Sequence, residues 1–292
     1  MADVMLPLLA ALVSIAVMYV LGERIFRQRL LAIVNAGAFA ATPLLWLELR
    51  PHPASVYAVA CLVVALLCVA SADGVRAAWW AAGGGAAVGI AAYVSILAGV
   101  MMPLYAALIV GVLASERPVR TRVLVAFTAA FVVVVMPFAL FWLRHPDAYR
   151  QIVLAHRLYD ANRFNVLQGI HDMVSWVGLT ARSEIFYDYF NPAFLFLTWG
   201  LLFPPVVVLV PIGVYHVLSD ESSAIARCAL LGFLAAPFAG ALTAEPPQPG
   251  RIVFIMPFAA LLSTYGVARL IAARTRLPGR GTPPTAEARP YR

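Results

Sequence analysis

From Val123 to Leu143 the chain carries no charged side chain, and that length matches the roughly 20 apolar residues a helix needs to cross a bilayer. The run Pro192 to Leu218 contains no Asp, Glu or Arg, and Ile252 to Ala272 contains only Arg269, close to its end. Such runs are too long for the core helices of a small soluble domain. With 63% apolar and 12% charged residues, against roughly half and a quarter in soluble proteins, the chain has too little polar surface to cover a water-soluble fold.

The expected architecture is all-α: a polytopic transmembrane helical bundle of about nine spans, placed near 4–21, 30–47, 54–72, 77–95, 99–115, 123–143, 192–218, 228–244 and 252–273. The stretch from Ala77 to Ser115 is about twice one crossing, and Gly99 with Pro103 marks the expected turn within it. Lys is absent, so Arg alone carries the orientation signal. Basic residues accumulate in short cytoplasmic loops. Arg24, Arg27 and Arg29, then Arg76, then Arg117, Arg120 and Arg122, then Arg227, and the tail from Arg269 all fall on one side of the nine spans, which is therefore read as the cytoplasm. The opposite side receives the turn Glu48 to Pro53, the loop 144–191 and the turn Glu245 to Arg251. The net charge of +7 is thus a topology signal, and no nucleic-acid partner is needed to explain it.

This arrangement puts the N-terminus outside, with only Met1, Ala2 and Asp3 ahead of the first span. Met1 to Leu21 has no basic n-region and no small-residue cleavage site, so it does not read as a signal peptide. The expectation is a shortened form of a longer protein whose preceding span and outer loop are absent; an immediate in-frame stop upstream of the Met1 codon would exclude it. The expected organisation is a membrane domain over 1–273 and a disordered cytoplasmic tail over 274–292, where Pro, Gly, Arg and Thr replace the apolar pattern.

Cys61, Cys68 and Cys228 all fall in expected spans and form no disulfide framework or metal spacing. No cofactor motif is present. Gly83, Gly84, Gly85 and Gly89 contain a small-xxx-small pattern that lets two membrane helices approach closely. A phosphate loop is the weaker reading, since no strand precedes the glycines and no Lys follows.

The loop 144–191 is the one sizeable polar segment, and loops of this length usually carry function or structure of their own. His145, His156 and His171 lack paired metal-ligand spacing. The start of the loop, HPDAYRQIVLAHRLYDANRF, reads as an interfacial helix with Ile152, Val153, Leu158 and Phe164 on one face and Arg150, Arg157 and Asp160 on the other. Its mix of carboxylates, Arg and aromatic rings suits a sugar, although an interfacial helix meeting lipid headgroups accounts equally for each residue taken singly. Glu48, Arg50 and His52 stand in one outer turn, with Glu245 and Arg251 in another. An Arg at a helix start adds its own charge to free backbone N–H groups, which suits an anion such as a lipid phosphate; snorkelling to ordinary headgroups is the plainer alternative.

Three segments give the chain a family resemblance. LPLLAALVSIAVMYVLGERIFRQRLLAIVNAGAFAATPLLWLELRP, VVVVMPFALFWLRHPDAYRQ and EPPQPGRIVFIMPFAALLSTYGVARL resemble, in order, the second and third spans, a Pro-ended span leading outward, and the closing outer turn and span of the C-fold (GT-C) membrane glycosyltransferases, of the dolichyl-phosphate-mannose protein mannosyltransferase and lipid A aminoarabinose transferase type. The resemblance implies transfer of a sugar from a polyprenyl-phosphate donor to an outer-face acceptor such as a cell-envelope glycan, lipid or protein. It implies donor-phosphate binding by Arg251, with Arg50 and His52 beside it, and acceptor or sugar contacts from Arg157, Asp160, Glu184 and Asp188. The family's catalytic carboxylate lies in a first outer loop that precedes the matched segments, so no catalytic residue is assigned here, and His52 stands where an Asp is common. A transporter or a lipid-carrier binding protein is the alternative class. Transporters place ionisable residues near the midplane and often repeat their halves, whereas here these residues fall at span ends. The Lys-free, Ala- and Val-rich composition points to a bacterial inner membrane with outer loops in the periplasm.

Overall fold

The computed structural model describes residues 2–49, 53–116, 120–145, 171, 175–219, 223–242 and 246–276. Among them the regular structure is helical throughout. A backbone in lipid has no water to bond to, so its N–H and C=O groups pair inside each segment. The elements are α1 (Ala2–Phe26), α2 (Arg29–Ala40), α3 (Pro43–Leu47), α4 (Pro53–Ala70), α5 (Ala77–Ala91), α6 (Ile96–Ser115), α7 (Thr121–Arg144), α8 (Trp176–Asp188), α9 (Val206–Ser219), α10 (Ala224–Ala235), α11 (Phe238–Leu242) and α12 (Ile255–Arg276). Among the described residues, six segments are long and apolar enough to cross a membrane: Met5–Phe26, Pro53–Ala70, Ile96–Ser115, Thr121–Phe141, Ala224–Leu242 and Ile255–Arg274. The all-α polytopic architecture expected from the sequence is the one observed.

Several expected spans are divided. The run 30–47 stops at Ala40, the Thr42 hydroxyl donates to the Ala38 carbonyl at 2.8 Å, and Pro43 opens α3 because it cannot continue the preceding ladder. The run 192–218 begins with a wide turn over Ala193–Thr198, bends at Gly200 with φ 55°, and becomes helical again only at α9. Between α5 and α6 the chain turns at Ala92–Ser95, ahead of Gly99. There Ser95 caps α6 by accepting from the Ala98 N–H at 3.1 Å, and Pro103 lies inside the helix. Within the expected outer loop 144–191, α8 is an ordered helix capped by Ser175, which accepts from the Gly178 N–H. The residues of the expected tail beyond Arg276 lie outside the described ones.

Helix ends collect at two faces. Arg24 and Arg120 both reach Asp73, while Arg227 donates to the Ser115 hydroxyl at 2.8 Å and stands 3.9 Å from Glu116. The helix ends at Arg24 and Arg227 and the start of α7 at Arg120 thus share one end of the bundle, hereafter the arginine face. At the other end the Tyr93 hydroxyl, just after α5, donates to the Val134 carbonyl at 2.6 Å and accepts from the Phe138 N–H at 3.2 Å. It inserts into the α7 ladder beside Pro137, which supplies no N–H of its own.

Glycines set the helix spacing. A Cβ on Gly85 of α5 would stand 2.1 Å from the Phe127 carbonyl oxygen of α7, and one on Gly89 would meet Val134 at 2.8 Å. This bears out the packing reading of the glycine run. A second seam joins α9 to α12, where a Cβ on Gly213 would lie 1.9 Å from the Leu262 carbonyl oxygen and one on Gly266 would lie 2.3 Å from that of Leu209. Backbone on both sides leaves nothing to give way. Gly213→Val is therefore expected to destabilise the bundle by about 3 kcal/mol, the upper end of the usual overpacking cost. The fall should appear in the thermal midpoint of the detergent-purified protein, whereas Gly37→Ala, in open space, should leave it unchanged.

Candidate functional site at the turn before the last helix

The turn that leads into α12 holds Pro246, Pro247 and Pro249, which restrict its backbone before any packing is considered. It closes as a short 3-10 turn over Pro249–Ile252, in which the Arg251 N–H donates to the Gln248 carbonyl at 3.1 Å. Ile252 is fully buried and Arg251 half-buried, so the turn is pinned at its apolar end while Arg251 keeps partial access to the surface.

Two long-range contacts fix this turn. The first is Glu48, at the C-terminus of α3, whose N–H donates to the Leu44 carbonyl at 3.2 Å. Its side chain is only 4% exposed. A Cβ built on Gly250 would stand 3.1 Å and 3.3 Å from the two carboxylate oxygens, so the carboxylate packs directly against the backbone of the residue preceding Arg251. Glycine is what allows that approach. The second contact is Tyr189, fully buried just past α8, whose hydroxyl accepts from the Gln248 N–H at 3.2 Å. Its ring packs edge-on to Phe194 and lies where a side chain on Gly240 would be, 2.6 Å from that Cβ position.

Among the residues expected from the sequence, Arg251 is therefore placed beside a buried carboxylate. Glu184 and Asp188 lie four residues apart on α8, a spacing that puts them on one side of the helix, and both are exposed. Asp188 immediately precedes Tyr189 in the chain, and Glu184 stands one helical turn farther back. Arg50, His52, Arg157 and Asp160 lie outside the described residues. Sequence reasoning missed Tyr189 and the burial of Glu48. The available signals were Gly250 immediately before Arg251 and a Tyr placed just ahead of the next apolar run.

An Arg in the turn at a helix entrance, with a shielded carboxylate packed against the residue before it, suits a phosphate ester, since Arg offers several N–H donors in a planar fork. No protein-family model and no curated protein sequence matches the chain. The class that the fold defines is a polytopic membrane protein with a GT-C-like fold. It is similar to the crystal structure of ArnT from Cupriavidus metallidurans bound to undecaprenyl phosphate, with a TM-score of 0.59 and 17% sequence identity, over 91% of this chain and 46% of that one. The chain therefore spans less than half the length of that structure.

Removing the Tyr189 hydroxyl tests whether it holds the turn. Tyr189→Phe should cost about 1 kcal/mol of local stability, which is roughly fivefold faster amide exchange at Gln248. Unchanged exchange over 246–254 would show that the hydroxyl holds nothing there.

Proposed function

We propose that the chain is a membrane glycosyltransferase, or the part of one that binds the lipid-linked donor. It takes a sugar from a polyprenyl-phosphate carrier and passes it to an acceptor at the face that bears Arg251. The observation that carries this reading is the GT-C-like fold shared with a structure bound to undecaprenyl phosphate, with Arg251 held at the entrance to α12.

In this reaction an acceptor oxygen or nitrogen attacks the anomeric carbon of the sugar, the bond from that carbon to the phosphate oxygen breaks, and the polyprenyl phosphate leaves with the electron pair. The acceptor's proton passes to a carboxylate. Charge develops on the departing phosphate, and a fixed cation aimed at that position lowers the barrier. Arg251 takes this role, with Arg50 and His52, expected from the sequence, as further phosphate-binding candidates. Arg157, Asp160, Glu184 and Asp188 are the candidates for sugar and acceptor contacts. The distribution of Arg and the Lys-free composition support a bacterial inner membrane with this face toward the periplasm.

Arg251→Ala should weaken binding of undecaprenyl phosphate to the purified protein at least about tenfold, the worth of one charge-assisted hydrogen bond. It should also slow release of the carrier from an undecaprenyl-phosphoryl sugar by roughly 100-fold or more, with the thermal midpoint retained. Equal affinity in the variant would remove Arg251 from the donor site. Binding without sugar release, in the protein expressed from its complete reading frame, would favour a lipid-carrier binding protein.

A further inference from the structure

At the arginine face, α5 and α7 begin side by side around a cavity of about 530 Å³, a depression wide open to the surface and lined by Asp73, Gly74, Ala77, Arg120, Thr121 and Arg122, among others. The Arg120 guanidinium is oriented by two bonds from a single nitrogen, to the Ala72 carbonyl at 3.1 Å and to the Asp73 carboxylate. A guanidinium has five N–H donors, so most of the fork is not engaged by this pair. Arg24 reaches the other oxygen of Asp73 at 3.6 Å. Arg24 and Arg120 thus share the Asp73 carboxylate, Arg122 lines the same cavity, and Glu116 lies near enough to act on Arg120 as well. The hydrogen bond that Arg120 donates to Asp73 raises the Arg120 pKa above its ordinary value, so that charge persists at any physiological pH.

The surroundings of the cavity are apolar and outward-facing. Val75 is fully exposed, Trp79 is 81% exposed and Trp80 is 44% exposed; Trp with its amphipathic ring belongs at headgroup depth. Thr121–Phe141 is the least enclosed of the six long apolar segments, 11% buried against 67% for Ile255–Arg274. Its exposed positions Val125, Val132, Met136 and Leu140 follow from Arg122 at helical spacing, so one apolar stripe runs along α7 with Arg122 at its end.

The geometry points to this cavity as a binding site for the headgroup of an anionic phospholipid, whose phosphodiester meets Arg120 and Arg122 while an acyl chain lies along the α7 stripe. A soluble phosphate ester would satisfy the arginines and leave the stripe unused, which is why a lipid is the favoured ligand. The site is separate from the Arg251 turn, at the opposite end of the bundle, and does not depend on the proposed transfer reaction.

Native mass spectrometry of the purified chain in neutral detergent, titrated with phosphatidylglycerol or phosphatidylcholine, tests the assignment. The expected result is one retained phosphatidylglycerol per chain with about a tenfold preference over phosphatidylcholine, the size of one charge-assisted contact. Arg120→Gln should abolish that preference. Because Arg120 also ties Ala72 and Asp73 together, the exposed Arg122→Glu is the second variant, and it should lose the preference with a thermal midpoint equal to that of the wild type. Equal retention of the two lipids, or full retention of phosphatidylglycerol by Arg122→Glu, would overturn the site. Stabilisation by glycerol phosphate equal to that given by the lipid would also overturn it, in favour of a soluble anion.

Discussion

The close approach of backbones at Gly213 and Gly266 is the constraint on which the rest of the molecule rests. In lipid the hydrophobic effect does not drive helices together, because acyl chains are as apolar as Leu; packing contacts and interhelical hydrogen bonds do so instead. Each of these glycines sits against a carbonyl of the facing helix, which brings α9 and α12 to a separation that no side chain permits. A polar tie supplements the seam. The fully buried Asn35 donates to the Met18 carbonyl at 2.7 Å and accepts from the Thr264 hydroxyl at 3.4 Å. That one side chain of α2 therefore joins α1 and α12.

The candidate site is a consequence of this arrangement. α2 leads through the break at Thr42 into α3 and ends at Glu48, while Arg251 stands in the turn that enters α12. The two halves of the site are thus the ends of two helices already tied at Asn35 and Thr264. The break is itself held in place, since the Leu44 N–H donates to the Leu201 carbonyl at 3.1 Å. That bond links α3 to the irregular stretch before α9, so the same non-helical stretch that interrupts the 192–218 run also supports the segment carrying Glu48. A backbone that leaves the helix here stays paired, as membrane depth requires.

Much of this scaffold was legible in the sequence, because the apolar runs, the glycine pattern and the arginine-bearing loops are local signals read over one or two helical turns. The breaks in 30–47 and 192–218 were masked by mean apolarity, although Thr42-Pro43, Gly200 and Pro204-Pro205 are the residues that would end a helix. The site was less legible for a different reason. Glu48 lies in the segment LWLELRPHP, which reads as a solvated turn. Its burial depends on Gly250 from the far end of the chain, and no periodicity encodes that partnership. Tyr189 was hidden in the same way, since a ring at the end of a polar loop says nothing about the Gln248 N–H it will accept. Arg251 could be singled out from the sequence because a cation beside a Pro-rich helix entrance is a local feature.

The distribution of buried polar groups bears on what such a bundle does. Among the described residues those that are buried are Ser14, Asn35, Thr42, Glu48, Ser55, Ser263 and Thr264, and Glu48 alone of these carries a formal charge. Ser14 donates to the Ala10 carbonyl, Thr42 to Ala38 and Thr264 to Ala260, and hydroxyls paired in this way cost little in a low-dielectric interior. A carboxylate there is far more costly. A translocation pathway would spend that cost near the midplane, where a cargo or coupling ion must be met. In this bundle it is spent at one end, beside the turn that presents Arg251.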